Sequence, residues 1–442
     1  MFKTAGVRFM RGVCTSLSVV LLAGLLGACA HSPAPDPAGP KSWIVENVAS
    51  KTTQELYADW IAPAVYKRSG SQVIGDYTVE SGNLIGPDKS TGSLVTVRNT
   101  DGSLTAMIEE KGKSGLVTIN SKGQGTFTPY LSEDYSRPDT VSIKDEVIIN
   151  NTEYSTAEPY VIDMFIGYSR SAVEAGGGDV VANALAKVEG VNLALRNSLV
   201  TNVTLKLVGV QVIEQNYPVT TEVLGNINAI FKEGIDRSRP DLIYGMFSGH
   251  PDDSAGGWGY IRGRTAISHV NGEAFRHEVG HNAGGAHCYA EGGGFFPYAY
   301  GYNNGKTPTI QCGNESPYYS NPLVKDAYDL PLGNALIANM AYVWRNNAKR
   351  LSSYAPTVIP QAPQNFRATP YSSTAVTFAW DPEPRAVRYQ IWRGIILVEE
   401  TESTEITTTN VTPGLQRYYV IAVYVDGTKS PRSNLVWTKP KE

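Results

Sequence analysis

The sequence predicts a multidomain protein in which an α/β domain lies between two all-β domains. Three observations lead there. Short apolar–polar alternations broken by turn signals fill residues 41–157, strands alternate with helices over 158–356, and short strands return in 361–442. At 442 residues the chain is also too long for one core, because single domains stop growing near roughly 250–300 residues.

The first segment reads as an address. Lys3, Arg8 and Arg11 precede a mostly apolar run over 13–26, which then closes as Leu26-Gly27-Ala28-Cys29. The run is shorter than the roughly 20 residues that span a bilayer. An ordinary signal peptide cut near Ala28 or Ala30, or a retained anchor, would share these features. The Leu-Gly-Ala-Cys ending resembles a bacterial lipobox, and that resemblance implies a signal peptide over 1–28 and acylation of Cys29. Residues 29–40 carry Pro33, Pro35, Pro37 and Pro40, a composition that makes an extended tether. The expectation is a protein held by lipid in a bacterial envelope, at the outer membrane or cell surface.

Within 41–157, the alternations Ser93–Ile108 are divided by Asp101-Gly102, a strong hairpin signal, and no cluster of chemistry-bearing residues stands out. The central region predicts strands at 160–168, 203–212, 241–247 and from Gly259 onward, with helices at 180–199 and 222–234. After Pro360, the alternations Val376/Phe378/Trp380, Val387/Tyr389/Ile391 and Tyr418/Val420/Ala422/Tyr424 fit a small β-sandwich. Their order, with Trp380 early and the Tyr418 run late, resembles a fibronectin type III module over 361–442.

Composition narrows the function classes. With 42% hydrophobic and 18% charged residues the chain is neither disordered nor a polytopic membrane protein. Acidic residues outnumber basic ones by 42 to 38, and cleavage of 1–28 would remove cations only. That balance argues against nucleic acid as a partner.

Residues 277–287 read His277-Glu278-Val279-Gly280-His281-Asn282-Ala283-Gly284-Gly285-Ala286-His287. On a helix His277 and His281 are one turn apart and share a face, so both imidazoles reach one ion. Zinc suits imidazole nitrogen, and three histidines leave the fourth tetrahedral position to water. Gly284 tolerates the positive φ that lets the chain leave the helix and return His287 as third ligand. Glu278 is placed to take a proton from the water, whose pKa zinc lowers towards roughly 7. Three histidines, a glutamate and a glycine at these spacings arise by chance on the order of once in a hundred thousand such chains.

This string resembles the zinc signature of the metzincin metallopeptidases, and Asn282 matches their common form. The resemblance spans about 158–356. It implies a mixed sheet with an active-site helix, a closing helix near 331–350, and hydrolysis of peptide bonds in protein or peptide substrates. It assigns His277, His281 and His287 as ligands of one zinc ion and Glu278 as general base. Substrate is expected to lie extended along the edge strand around Gly257–Ile261. Residues 41–157 then take the position of a prosegment. Between Ala30 and His287 there is no cysteine, so a propeptide thiolate cannot block the metal, and latency by an acidic residue or no latency both remain.

Two departures from the family follow. Where its members place a methionine beneath the metal, the best candidate here is Gln311, in Thr309-Ile310-Gln311-Cys312-Gly313. Met340, the only methionine after the motif, reads as helix core with Leu336, Ile337, Val343 and Trp344. Second, Cys288 and Cys312 follow His287 and Gln311 directly. In an oxidising compartment the simplest outcome is a disulfide worth roughly 3 kcal/mol; a free pair, or a thiolate replacing a histidine, are the alternatives. His250 and His269 read as a loop and a strand residue, and Asp252 with Asp253 as a turn rather than a calcium site.

The expectation is therefore a monomeric, lipid-anchored zinc endopeptidase with a binding or spacing module at its C-terminus. The rivals are a non-enzymatic envelope lipoprotein that binds partners through its β domains around a structural zinc, and a zinc amidase acting on cell-wall peptide.

Overall fold

The computed structural model describes residues 41–60, 63–131, 139–142 and 159–440. The signal-like segment 1–28, Cys29 and the tether 29–40 lie outside the described residues.

The turn-rich first region forms β1 (Lys41–Ile44), α1 (Thr53–Trp60), β2 (Val65–Ile74), β3 (Tyr77–Ile85), β4 (Thr91–Asn99), β5 (Leu104–Glu109), β6 (Gly115–Ile119) and β7 (Gln124–Pro129). These strands make one antiparallel sheet in the order β1-β7-β6-β5-β4-β3-β2. The Asp101-Gly102 turn joins β4 to β5, with Gly102 at φ 89°. Period-two alternation buries both faces of this sheet. Leu94, Leu104, Ala106 and Ile108 form one core with Leu56 of α1, whereas Val95, Val97 and Met107 join the core of the next domain.

That domain contains β8 (Thr140–Ser142), β9 (Tyr160–Ser169), α2 (Arg170–Ala175), α3 (Val180–Asn197), β10 (Val203–Ile213), α4 (Thr221–Ile230), α5 (Lys232–Ser238), β11 (Leu242–Phe247), β12 (Gly257–Ile261), β13 (Thr265–His269) and α6 (Ala274–Ala283). Then come the short strands β14 (Ala286–Cys288), β15 (Tyr300–Gly301), β16 (Asn321–Lys325) and β17 (Pro331–Leu332), and α7 (Met340–Leu351). The main sheet is mixed, in the order β10-β9-β11-β13-β12-β8. β12 is antiparallel to β13, and β8 pairs parallel with β12 at the edge.

Two expectations need correction. The helix expected over 222–234 is two helices, α4 and α5, meeting at Phe231. The closing helix expected near 331–350 starts only at Met340. Pro331 belongs to β17, Asn334 bridges to Ala338, and the Asn339 side chain accepts from the Tyr342 amide to cap the helix. Leu336 is consequently 77% exposed, while Met340, Val343 and Trp344 are buried.

The C-terminal region folds as β18 (Arg367–Pro370), β19 (Val376–Ala379), β20 (Ala386–Arg393), β21 (Ile396–Thr401), β22 (Glu405–Thr408), β23 (Gln416–Tyr424) and β24 (Val436–Thr438). Sheets β18-β19-β22 and β21-β20-β23-β24 enclose Phe378, Trp380, Tyr389 and Tyr418. This sandwich is seated on both other domains through the ion pairs Arg388–Asp76, Lys206–Asp426 and Arg385–Asp163. Among the described residues no helix is long and apolar enough to cross a membrane.

Candidate metal centre

α6 carries His277, Glu278 and His281 on consecutive turns, all buried. The helix stops at Ala283 because Gly284 adopts φ 121°, a conformation that side chains disfavour. The Gly284 and Gly285 amides return to the carbonyls of His281 and Gly280. β14 then brings His287 back, and the three imidazole centroids stand 4.6–5.1 Å apart.

Each ring is oriented by its second nitrogen. His277 Nδ1 lies 2.7 Å from the Ile310 carbonyl, and His281 Nδ1 2.7 Å from the Gly285 carbonyl. A carbonyl only accepts, so both Nδ1 atoms donate and both Nε2 atoms turn to the centre of the cluster. His287 Nδ1 sits 3.2 Å from Glu291 Oε2.

The Nε2 atoms converge on a residue that the sequence did not single out. The Asp139 carboxylate, only 5% exposed and directly before β8, lies 2.7 Å from His287 Nε2, 3.3 Å from His277 Nε2 and 3.6 Å from His281 Nε2. His281 Nε2, His287 Nε2 and Asp139 Oδ1 are buried and face one another. Four ligand atoms from Asp139, His277, His281 and His287 thus lie within 4.8 Å of one another and could hold a metal ion. Three imidazole nitrogens and a carboxylate crowded into one buried site fit a cation, because these donor types are the ones zinc takes. Burial alone would raise the Asp139 carboxyl, but the three imidazoles beside it prevail and hold it well below the usual carboxylate range. Burial pushes His281 down to about 4 against the opposing pull of Asp139. At His287 burial acts in the same direction, yet the Asp139 carboxylate outweighs it and the net shift is upward.

Glu278 is 1% exposed beneath β12. A Cβ at Gly257 would stand 2.5 Å from its Oε1, and one at Gly259 2.8 Å from its Oε2. Gly257 and Gly259 therefore make room for this carboxylate. The edge of β12 is paired: Gly259, Tyr260 and Ile261 are in register with Thr140, Val141 and Ser142, and the Gly259 amide donates to the Asp139 carbonyl at 3.0 Å.

Gln311 lies under the histidines, donating from Nε2 to the His277 carbonyl at 2.9 Å. A side chain on Gly280 would overlap its amide. Cys288 and Cys312 form a disulfide, with Cα atoms 4.8 Å apart, that ties β14 to this turn. Asn282 donates to the Tyr260 and Thr265 carbonyls and so fixes α6 against the sheet. His250 and His269 are not members of the cluster: His269 and the His250 amide both meet Asp253, which also accepts from the Val219 amide.

No protein-family model and no curated protein matches this chain. Among solved structures it is similar to a chaperone–substrate complex at 21% identity and TM-score 0.41, over 58% of this chain and 40% of the other. The chain thus spans well under two thirds of that structure's length. It is also similar to the FN5 domain of Drosophila Lar at 25% identity and TM-score 0.16, over 19% of this chain and 100% of that one. With the central fibronectin-III array of RIM-binding protein the figures are 17% and 0.17, over 18% of this chain and 32% of the other.

Proposed function

We propose that the protein is a zinc endopeptidase held latent by Asp139. The observation that carries this reading is the convergence of three imidazole Nε2 atoms beside a buried glutamate, with a carboxylate from a preceding segment in the fourth position. Imidazole donors suit zinc, which when bound supplies Lewis acidity towards a carbonyl and acidifies water. His277, His281 and His287 would hold the ion. Glu278 accepts the proton of the attacking water and delivers it to the departing amine nitrogen. β12 receives substrate as an added strand, so β8 and a substrate compete for the same backbone groups. Asp139 excludes water from the fourth position, and β8 fills the strand groove, so one short segment blocks both.

Cys29 anchors the mature protein to the bacterial envelope in this reading. The chain works as a monomer on protein or peptide substrates, and the fibronectin-like sandwich serves as a binding or spacing module.

One observation favours a second reading. A site with four protein ligands has no open position and resembles a structural metal centre, as in a non-enzymatic envelope lipoprotein. Asp139→Ala separates the two. Peptide cleavage by this variant, with zinc retained and with none by the variant Asp139→Ala/Glu278→Ala, supports the latent peptidase. Loss of zinc or of folding without any cleavage supports the structural site and sinks the enzyme.

A further inference from the structure

A segment that is shed on activation must leave behind a surface that water tolerates. The seven-stranded sheet does not meet that condition. α3 lies between it and the mixed sheet, and every residue from Ala182 to Leu195 is buried. Val95, Val97 and Met107 of the first sheet belong to the same apolar cluster as Leu185, Val188 and Val191 of α3. Met107 approaches α3 where Gly190 carries no side chain, and Gly177 (φ 91°) likewise accommodates Thr118.

The polar groups at this junction are completed across it. Glu189 of α3 accepts from Ser81 of β3 at 2.6 Å, and Arg196 of α3 donates to the same hydroxyl at 2.8 Å. Asn83 and Asn197 exchange amide hydrogen bonds of 3.2 and 2.8 Å, and Tyr77 donates to Asp179 at 3.1 Å. Arg276, the residue before His277, pairs at 2.5 Å with Glu109 of β5, both nearly excluded from water. Undocking the sheet would part a buried guanidinium from its buried counter-charge, leaving Arg276 with Asn314 and Glu109 with Ser93. The sandwich adds a second clamp, because Arg388 holds Asp76 in the β2–β3 turn while Lys206 of β10 holds Asp426. β8, by contrast, is three residues long and lies at a sheet edge.

We propose that the seven-stranded sheet is a permanent, non-covalently held part of the central domain, which stays bound after the chain is cut between β8 and β9, so that only Asp139 and β8 leave the site. The docking stands on these contacts; its bearing on activation rests on the latency reading above.

A site-specific protease sequence inserted after Asn150 tests this. After complete cutting, verified on a denaturing gel, the two fragments are expected to elute together from a sizing column at the mass of the uncut protein and to part only in denaturant. Separate elution, with the C-terminal fragment retaining its circular dichroism, overturns the proposal. Hydrogen exchange on the unmodified chain gives a second reading that needs no insertion. α3 amides should exchange as slowly as those of β11, and the Gly259 amide, bonded to Asp139, faster. α3 exchanging a hundredfold faster than β11 would mean that the sheet undocks by itself and would also overturn the proposal. Neither readout depends on peptidase activity, so either can fail while the enzyme reading stands.

Discussion

The Asp139 carboxylate lies 2.7 Å from His287 Nε2, at the point towards which the other two imidazoles also turn. An aspartate from the segment before β9 therefore completes a cluster whose other members all lie on α6 and β14. Removing it should raise activity in the uncut protein at least tenfold while zinc, measured by mass spectrometry, stays near one per chain. If Asp139→Asn also activates, the charge is what blocks the site. If only Asp139→Ala does, the bulk of the side chain is sufficient.

Glu278→Gln keeps the shape of the carboxylate and removes its basicity. General-base catalysis contributes roughly 10²–10⁴-fold, so kcat of the activated protein should fall in that range with zinc content unchanged. An unchanged kcat would remove Glu278 from the proton-transfer role.

Gly259→Ala introduces a Cβ 2.8 Å from Glu278 Oε2 and 3.0 Å from the Glu278 carbonyl. Overpacking of this kind costs about 1–3 kcal/mol and must displace the carboxylate or the strand. Activity should fall more steeply than the melting temperature. Equal loss of both would point to a general packing defect.

Replacing Cys288 and Cys312 together by alanine opens a loop with a sequence separation of 24 residues. The expected loss is about 3 kcal/mol, read from urea unfolding. Because His287 precedes one of the two cysteines, zinc affinity should weaken as well, and a titration with a chromophoric chelator measures that.

Glu109→Ala leaves the Arg276 guanidinium buried without its counter-charge, and such cuts cost about 3–5 kcal/mol. Glu109→Gln, which still accepts a hydrogen bond, should lose less. Thermal melts of both variants rank the two, and the opposite ranking would rule out the ion pair as the source.

Much of the cluster was legible because its geometry is local. The spacing of His277 and His281 follows from one helical turn, and Gly284 needs only its own backbone freedom to send His287 back. Gln311 under the histidines and the Cys288–Cys312 bridge could be anticipated because adjacent residues marked both ends. The start of α7 was misplaced by periodicity, since Leu336 and Ile337 match a helical stripe although Pro331 pairs in β17 and the cap is Asn339.

Asp139 carried no signal of its own. It stands in a segment without a motif, and its significance comes only from the β8–β12 pairing that places its carboxylate among the imidazoles. The same holds for Glu109 and Arg276, which become a buried pair only when β5 meets α6. By itself the sequence determined the order of the three regions, the helix and turn that gather three histidines and a glutamate, and the two cysteines beside them. Those features rest on backbone geometry over a few residues. Tertiary structure alone decided which carboxylate joins the three imidazoles, what covers the β12 edge and what buries α3, because those contacts join residues far apart in the chain, and no local spacing encodes which distant surfaces lose their water together.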